Sequence, residues 1–502
     1  MNVEARDFRA GPFNSASPRV VVIGSGMSGI LMSIKLKEAG IETFTIYEKA
    51  DRLGGTWREN TYPGITCDVA SHNYCYTFEP NPDWSHRFPP GAEIQAYFER
   101  VADKYGIYPH IKFNKEIAHA RWDKGVWQID TKDGEHVTAD ILISAAGVLH
   151  HPNYPDIAGL KTFRGAMFHT ARWDHSVDLT DKRVGIIGTG STAAQIVPAI
   201  IDKVRRLTLF QRTAQWVHPF PDKAYSDTAK RWFRRVPLLT KFLYHWYARL
   251  LEKTFGEVVV GKRSAEGLNA RCRKNLERVR DPELRRKLTP DYTPGCKRLI
   301  FSSLFYPAIQ KPNAELVTES IDHIEPEGIV TKDGRLHELD VLVLSTGFRA
   351  DRFLRPMEVI GENGVSLEDI WKDGPTAYRS VAVPGLPNFF MLVGPHSPVG
   401  NLSLIAVSEY QAGYIMRCID QIRAQHVSLA PKKSVTKRLD ADMKEAVKNT
   451  VWASGCKSWY LGADGLPALY PWAPSQFYRE MSLPPDFTDF EVKTLERPVV
   501  AA

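Results

Sequence analysis

Two glycine-rich turns are the first residues in this chain whose spacing implies chemistry. Gly24-Ser-Gly26-Met-Ser-Gly29 follows an apolar run at 19–23, and Gly188-Thr-Gly190-Ser191-Thr192-Ala193 follows another at 183–187. In a strand-turn-helix the first glycine permits the tight turn and the second lets backbone approach a pyrophosphate. The third, or an alanine, lets helix pack on strand. The helix that follows, opened in the second case by Ser191 and Thr192, points its free N–H groups at the phosphates. Glu48 lies 19 residues after Gly29, and Arg212 lies 19 after Ala193, each closing a second short apolar run. An acid there accepts hydrogen bonds from ribose hydroxyls, whereas an arginine suits a 2′-phosphate. The two sites read as one for FAD and one for NADPH, with hydride passing from NADPH to FAD.

Such turns need a particular scaffold. The expected fold class is α/β, with two Rossmann-like dinucleotide-binding domains (FAD and NADPH) and a helical insertion. Apolar strands at 139–145 and 341–344 end in Ala146-Gly147 and Ser345-Thr346-Gly347, endings suited to a chain crossing between domains. The division that follows is an FAD domain at 1–155 that closes again at 326–502. An NADPH domain at 156–227 and 291–325 is interrupted by the insertion at 228–290.

Composition narrows the classes further. A chain of 502 residues, 43% hydrophobic and 25% charged, implies roughly two to four domains with a large core and excludes disordered and fibrous classes. The six cysteines form no C-x-x-C pair, so neither a disulfide framework nor a metal site is expected, and a reducing compartment is the default. No run of 18 apolar residues exists, and Glu4, Arg6, Asp7 and Arg9 crowd the first eighteen residues, so the expected location is cytoplasmic. The net charge of +7 is local: residues 228–290 hold 17 Lys and Arg against 6 Asp and Glu. A nucleic-acid partner is therefore not expected.

Two longer patterns give a family resemblance. Phe163, Gly165, His169, Trp173 and Asp174 fit F-x-G-x-x-x-H-x-x-x-W-[PD]. Gly54-Gly55-Thr56-Trp57, Tyr62-Pro63-Gly64 and Asp68 fit G-G-x-W-x-x-x-x-Y-P-G-x-x-x-D. Flanked by two Rossmann turns in this order, they make the chain resemble the type I Baeyer-Villiger monooxygenases, from about residue 19 to about residue 480. The resemblance implies NADPH- and O2-dependent conversion of a hydrophobic ketone to an ester or lactone through a C4a-peroxyflavin. That species is an anion and needs a permanent cation, which arginine supplies.

By the same similarity Arg298 is that catalytic cation and Asp68 the carboxylate that orients it. Lys297, with Arg212 and Thr213, reaches the NADP 2′-phosphate. Gly55, Thr56 and Trp57 border the FAD, and Trp459 contacts the nicotinamide nucleotide. His169 is expected to be a hydrogen-bonding hinge in an interdomain linker that Trp173 anchors, rather than a base.

For the basic insertion three uses stay open: a structural helical lid over the site, which is the expectation, a wall of an apolar substrate channel, or a patch docking on anionic membrane. Function keeps two alternatives as well. One is a flavin-dependent sulfide or amine oxygenase or hydroxylase, and the other an uncoupled NADPH oxidase or redox-sensing flavoprotein. The identity of the ketone and the oligomeric state are not legible.

Overall fold

The computed structural model describes residues 17–400, 402–456, 458, 461–462 and 464–495. Trp459 lies outside the described residues. At the centre of the first sheet is Val20–Ile23, whose three valines are nearly inaccessible. Apolar on both faces, it takes an interior place in a parallel sheet. It pairs with Phe44–Tyr47 on one side and Ile141–Ser144 on the other. Ile111–Lys112 and Phe389–Met391 complete five parallel strands. The outermost strand thus comes from far downstream, so this unit is built from two separate stretches of chain. The helix Met27–Glu38 covers one face through Ile30, Leu31 and Ile34 and packs against Leu404–Gln425, where the Ser28 and Ser408 hydroxyls meet at 2.8 Å.

A second five-stranded parallel sheet runs Ala314–Val317, Arg206–Phe210, Arg183–Ile187, Val341–Leu344, Ala166–His169. Two of its members differ from the sequence reading. Val341–Leu344 belongs to this sheet, so the second unit extends past the expected boundary at 325. All four of its side chains are buried, and it pairs in parallel with Arg183–Ile187 on one side and Ala166–His169 on the other. His169, expected in a linker, ends the edge strand of the same sheet.

One anchoring device is used twice. Arg19, entering the first sheet, holds Asp140 through its backbone N–H and guanidinium, and Arg183, entering the second, holds Asp340 in the same way. The two crossings between units run side by side: Asn153 N–H donates to Gly347 O and Arg349 N–H to His151 O, both at 2.9 Å.

Residues 228–290 are helical, with Asp227–Arg235, Pro237–Leu251, Glu266–Leu276 and Pro282–Lys287 as the main elements. The cysteine reading is corrected here. Cys296 and Cys456, 160 residues apart, form a disulfide, while Cys67, Cys75, Cys272 and Cys418 are free and buried. Sequence spacing carries no trace of a bond that tertiary folding alone brings about.

Candidate active site

The carboxyl ends of both sheets open onto one cavity of about 1470 Å³. Gly24, Gly26, Glu48, Gly55, Thr56, Trp57 and Asp68 line it from the first unit. Gly188, Gly190, Ser191, Thr192, Arg212, Thr213, Lys297 and Arg298 line it from the second. Gly29 is not on the wall. A Cβ there would stand 1.9 Å from Gly24 O, so its role is the close approach of helix to turn. Trp459 falls outside the described residues.

Both turns present the features a pyrophosphate needs. Gly24 and Gly188 sit at φ +95° and +108°, where an added Cβ would meet Ala145 O and Ser345 O at 2.8 and 2.3 Å. Gly26 and Gly190 are extended residues that open the helices Met27–Glu38 and Ser191–Ile200. Neither helix has a side-chain cap or an acid in its first turn, so its leading N–H groups stay available to an anion. A Cβ on Gly190 would meet nothing within 4 Å, which leaves backbone accessible from the cavity. These are the donor sets of two dinucleotide cradles, and the residues fit such cofactors.

Glu48, at the end of Phe44–Tyr47, is fixed from three sides. Ser25 donates to Oε2 from both N and Oγ at 2.9 Å, Ala50 N–H donates to Oε1 at 3.0 Å, and Arg58 pairs with Oε1 at 3.1 Å. Arg58 was not expected in the site, and only its place after Gly-Gly-Thr-Trp could have marked it. In the second unit Arg212 and Lys297 approach each other at the cavity wall, the Lys297 ammonium lying 4.5 Å over the Tyr292 ring. Burial pushes the Lys297 ammonium below the usual lysine range, and the charge of Arg212 pushes the same way against Asp291. Two converging cations of this kind suit a dianion.

Between the cradles, Arg298 Nη2 donates to Asp68 Oδ2 at 2.5 Å, with both side chains partly accessible. Asp68 comes from the first unit and Arg298 from the second, and the segment carrying Arg298 is joined to the C-terminal region by the neighbouring Cys296–Cys456 bond. Trp57 turns its Nε1–H to the Tyr74 hydroxyl at 3.1 Å, which fixes its ring in the wall. A second bridge went unforeseen. Tyr62 donates to Gln195 Oε1 at 2.8 Å and Gln195 returns a bond to Thr66 O at 3.0 Å, while a Cβ on Gly64 would lie 2.5 Å from Gln195 O. The Tyr-Pro-Gly motif is thus the seat of the second unit's first helix on the first unit.

His169 accepts from Ala171 N–H through Nδ1 at 3.1 Å and is inaccessible to solvent. Burial lowers its pKa to about 4, so it is neutral and structural in position. Trp173 packs edge-on against Phe168, ring centroids 4.9 Å apart. His150 also lines the cavity, bonded to Phe353 O at 2.8 Å and lowered to about 4 by burial. No residue of 228–290 is among the cavity's described lining.

Known proteins resemble this arrangement over nearly all of its length. A profile of the FMO-like (flavin-binding monooxygenase-like) family matches residues 17–275. An uncharacterized monooxygenase of Mycobacterium tuberculosis is 48% identical over 465 residues, covering 91% of this chain and 93% of that protein. A Baeyer-Villiger monooxygenase of Streptomyces coelicolor is 40% identical over 469 residues, 92% of this chain and 90% of that one. The chain belongs to the Baeyer-Villiger branch of the flavin-binding monooxygenase-like family. Among solved structures, the OTEMO complex with FAD and NADP superposes with a TM-score of 0.87 at 27% identity, covering 95% of this chain and all of that one. Like that complex, this chain has a mixed α/β fold with parallel Rossmann-like sheets.

Proposed function

We propose that the protein catalyses the NADPH- and O2-dependent oxidation of a hydrophobic ketone to an ester or lactone. Gly24, Gly26 and Glu48, with Gly55, Thr56 and Trp57 beside them, would hold FAD. Gly188, Gly190, Ser191 and Thr192 would hold NADPH. When bound, the two cofactors together supply hydride transfer and the activation of O2 for transfer of one oxygen atom to the substrate.

The chain's own residues do the rest. Arg212, Thr213 and Lys297 hold the 2′-phosphate, which sets the preference for NADPH over NADH. Arg298 places a charge that cannot be lost by deprotonation where negative charge develops on oxygen, and Asp68 fixes the guanidinium's direction. Ile300, Phe301, Val399 and Leu402 give the same cavity an apolar side suited to a hydrophobic ketone. The single observation that carries this reading is the Arg298–Asp68 pair, formed between the two units inside the one cavity that both cradles share.

Location in the cytoplasm accords with NADPH as the reductant, and no helix among the described residues is long and apolar enough to cross a membrane. The test is turnover of the FAD-loaded protein with NADPH in air across a ketone panel, with esters and lactones read by mass spectrometry. Product from at least one ketone, with NADPH consumed in step, supports the proposal. Flavin reduction that yields only hydrogen peroxide with every ketone, sulfide and amine tried replaces it with the oxidase or sensor reading.

A further inference from the structure

The helix Pro237–Leu251 turns an apolar stripe to solvent. Leu238, Phe242, Trp246 and Leu250 recur at every fourth position and are 75%, 60%, 55% and 44% exposed. The stripe runs about 18 Å at 1.5 Å per residue. Trp232 on the preceding helix, 58% exposed, and Val236 between the two helices extend it. Six of the fourteen large hydrophobic side chains exposed among the described residues therefore fall within 232–250. Scattered apolar residues on a surface need no account, but a concentration of this kind does.

The opposite side of the helix is firmly seated. Thr240 is buried, Tyr244 packs against the core of the first unit, and its carbonyl accepts from Asn73 Nδ2 at 3.4 Å. The exposed side is thus held outward by the fold. No residue of this segment is among the cavity's described lining.

Charge decides what covers it. Residues 227–256 contain seven Lys and Arg and two carboxylates, Asp227 at the start of the first helix and Glu252. Glu252 is buried, pairing with Arg249 and accepting from Ser475 N–H. Arg234 is spent on Asp83 at 2.6 Å. Lys241 lies on the exposed side of the helix next to the stripe, and Arg231 and Arg235 are exposed on the helix before it, whereas Arg249 is held by Glu252. In a two-fold dimer across this face the same cations would confront themselves. Aromatic and aliphatic side chains rimmed by Lys and Arg, on a helix lying flat on the surface, are instead complementary to lipid acyl chains beneath anionic headgroups.

We propose that the face formed by Asp227–Arg235 and Pro237–Leu251 docks this protein on an anionic phospholipid bilayer, lying in the interface without crossing it. The proposal does not depend on the reaction. Its test is co-sedimentation of the FAD-loaded protein with vesicles of phosphatidylglycerol and phosphatidylcholine mixed one to one, against vesicles of phosphatidylcholine alone, at low and high salt.

The expected result is binding to the mixed vesicles that weakens with salt and falls roughly tenfold in the double variant F242S/W246S. R235Q/K241Q should fall by a similar factor on the mixed vesicles and stay unchanged on phosphatidylcholine alone. All these side chains are exposed, so each variant should keep the parent's thermal midpoint and its NADPH oxidation in solution. Protein that stays in the supernatant with mixed vesicles at low salt overturns the proposal, as does vesicle binding that the two variants leave intact. A concentration-dependent dimer in light scattering that W246S abolishes also overturns it, and gives the face to a second copy of the chain.

Discussion

Arg298 and Asp68, 230 residues apart in sequence, meet at 2.5 Å where the two nucleotide-binding units face each other. The cation is carried by the second unit and its orienting carboxylate by the first, so the pair is complete only when the units are in register. Arg298→Ala is expected to leave NADPH-driven flavin reduction near the parent rate while ester formation falls roughly 10²- to 10³-fold, the scale of removing a charged stabiliser from a preorganised site. Arg298→Lys should recover little, since a compact ammonium cannot keep the fork geometry. Stopped-flow reduction and product yield, measured side by side, check both. Ester formation that survives Arg298→Ala would end its assignment as the catalytic cation.

The cations at the second cradle make a separate prediction about cofactor choice. Arg212→Ala removes one charged partner of the 2′-phosphate, so KM for NADPH should rise roughly 10- to 100-fold while that for NADH changes little, from about 1.5–3 kcal/mol per charged hydrogen bond. A pH effect follows. Lys297 binds as the ammonium, and burial together with Arg212 lowers its pKa, so NADPH affinity should be lost on the alkaline side earlier than for an ordinary lysine. Without Arg212 one of the lowering causes is gone, and the alkaline limb should move to higher pH. Steady-state KM profiles for both coenzymes, parent against variant, show whether the limb moves upward.

How much of this was legible depended on whether the signal was local. Gly24, Glu48, Gly190 and Arg212 announce themselves because turn, helix and second strand lie within thirty residues, and the physics of a βαβ unit fixes their spacing. Asp68 and Arg298 carry no such spacing; only longer motifs shared with a family bring them together. Val341–Leu344 fits the interior of any parallel sheet, so its apolar run could not say which sheet it joins, and the boundary at 325 fell too early. Partner choice across tertiary distance is equally silent in the pairing of Cys296 with Cys456. In the insertion, helical spacing was readable, but a buried and an exposed aromatic look the same in sequence.

The two turns separate backbone strain from loss of room. Gly188→Ala forces a Cβ to 2.3 Å from Ser345 O at φ +108°, so it should lower the thermal midpoint, at a cost of about 1–3 kcal/mol for the strained backbone. Gly190→Ala meets no atom within 4 Å, and the residue sits at φ −73°. That variant should melt like the parent yet bind NADPH at least about tenfold more weakly, because its methyl group would occupy the side from which a pyrophosphate approaches. Thermal shift and KM, taken together, check the contrast. A Gly190→Ala protein with unchanged affinity for NADPH would remove that turn from the cofactor site.

His169 ties fold stability to pH. Its folded pKa is lowered from 6.5 to about 4 by burial, so the unfolded chain binds its proton more readily than the native state does. Stability from this group is fully present above the unfolded value and is lost as pH falls from about 6.5 towards about 4. The change amounts to as much as about 3 kcal/mol at 1.36 kcal/mol per pKa unit. His169→Asn keeps an acceptor for Ala171 N–H without a titrating ring. Urea unfolding at neutral pH and near pH 5 should show a flatter pH dependence for the variant than for the parent. Because the strand Ala166–His169 ends here, at the edge of the second sheet, the acid-sensitive step is expected to loosen that edge first. Backbone amides of 166–169 should then exchange faster at pH 5 in the parent than in His169→Asn, relative to their intrinsic rates.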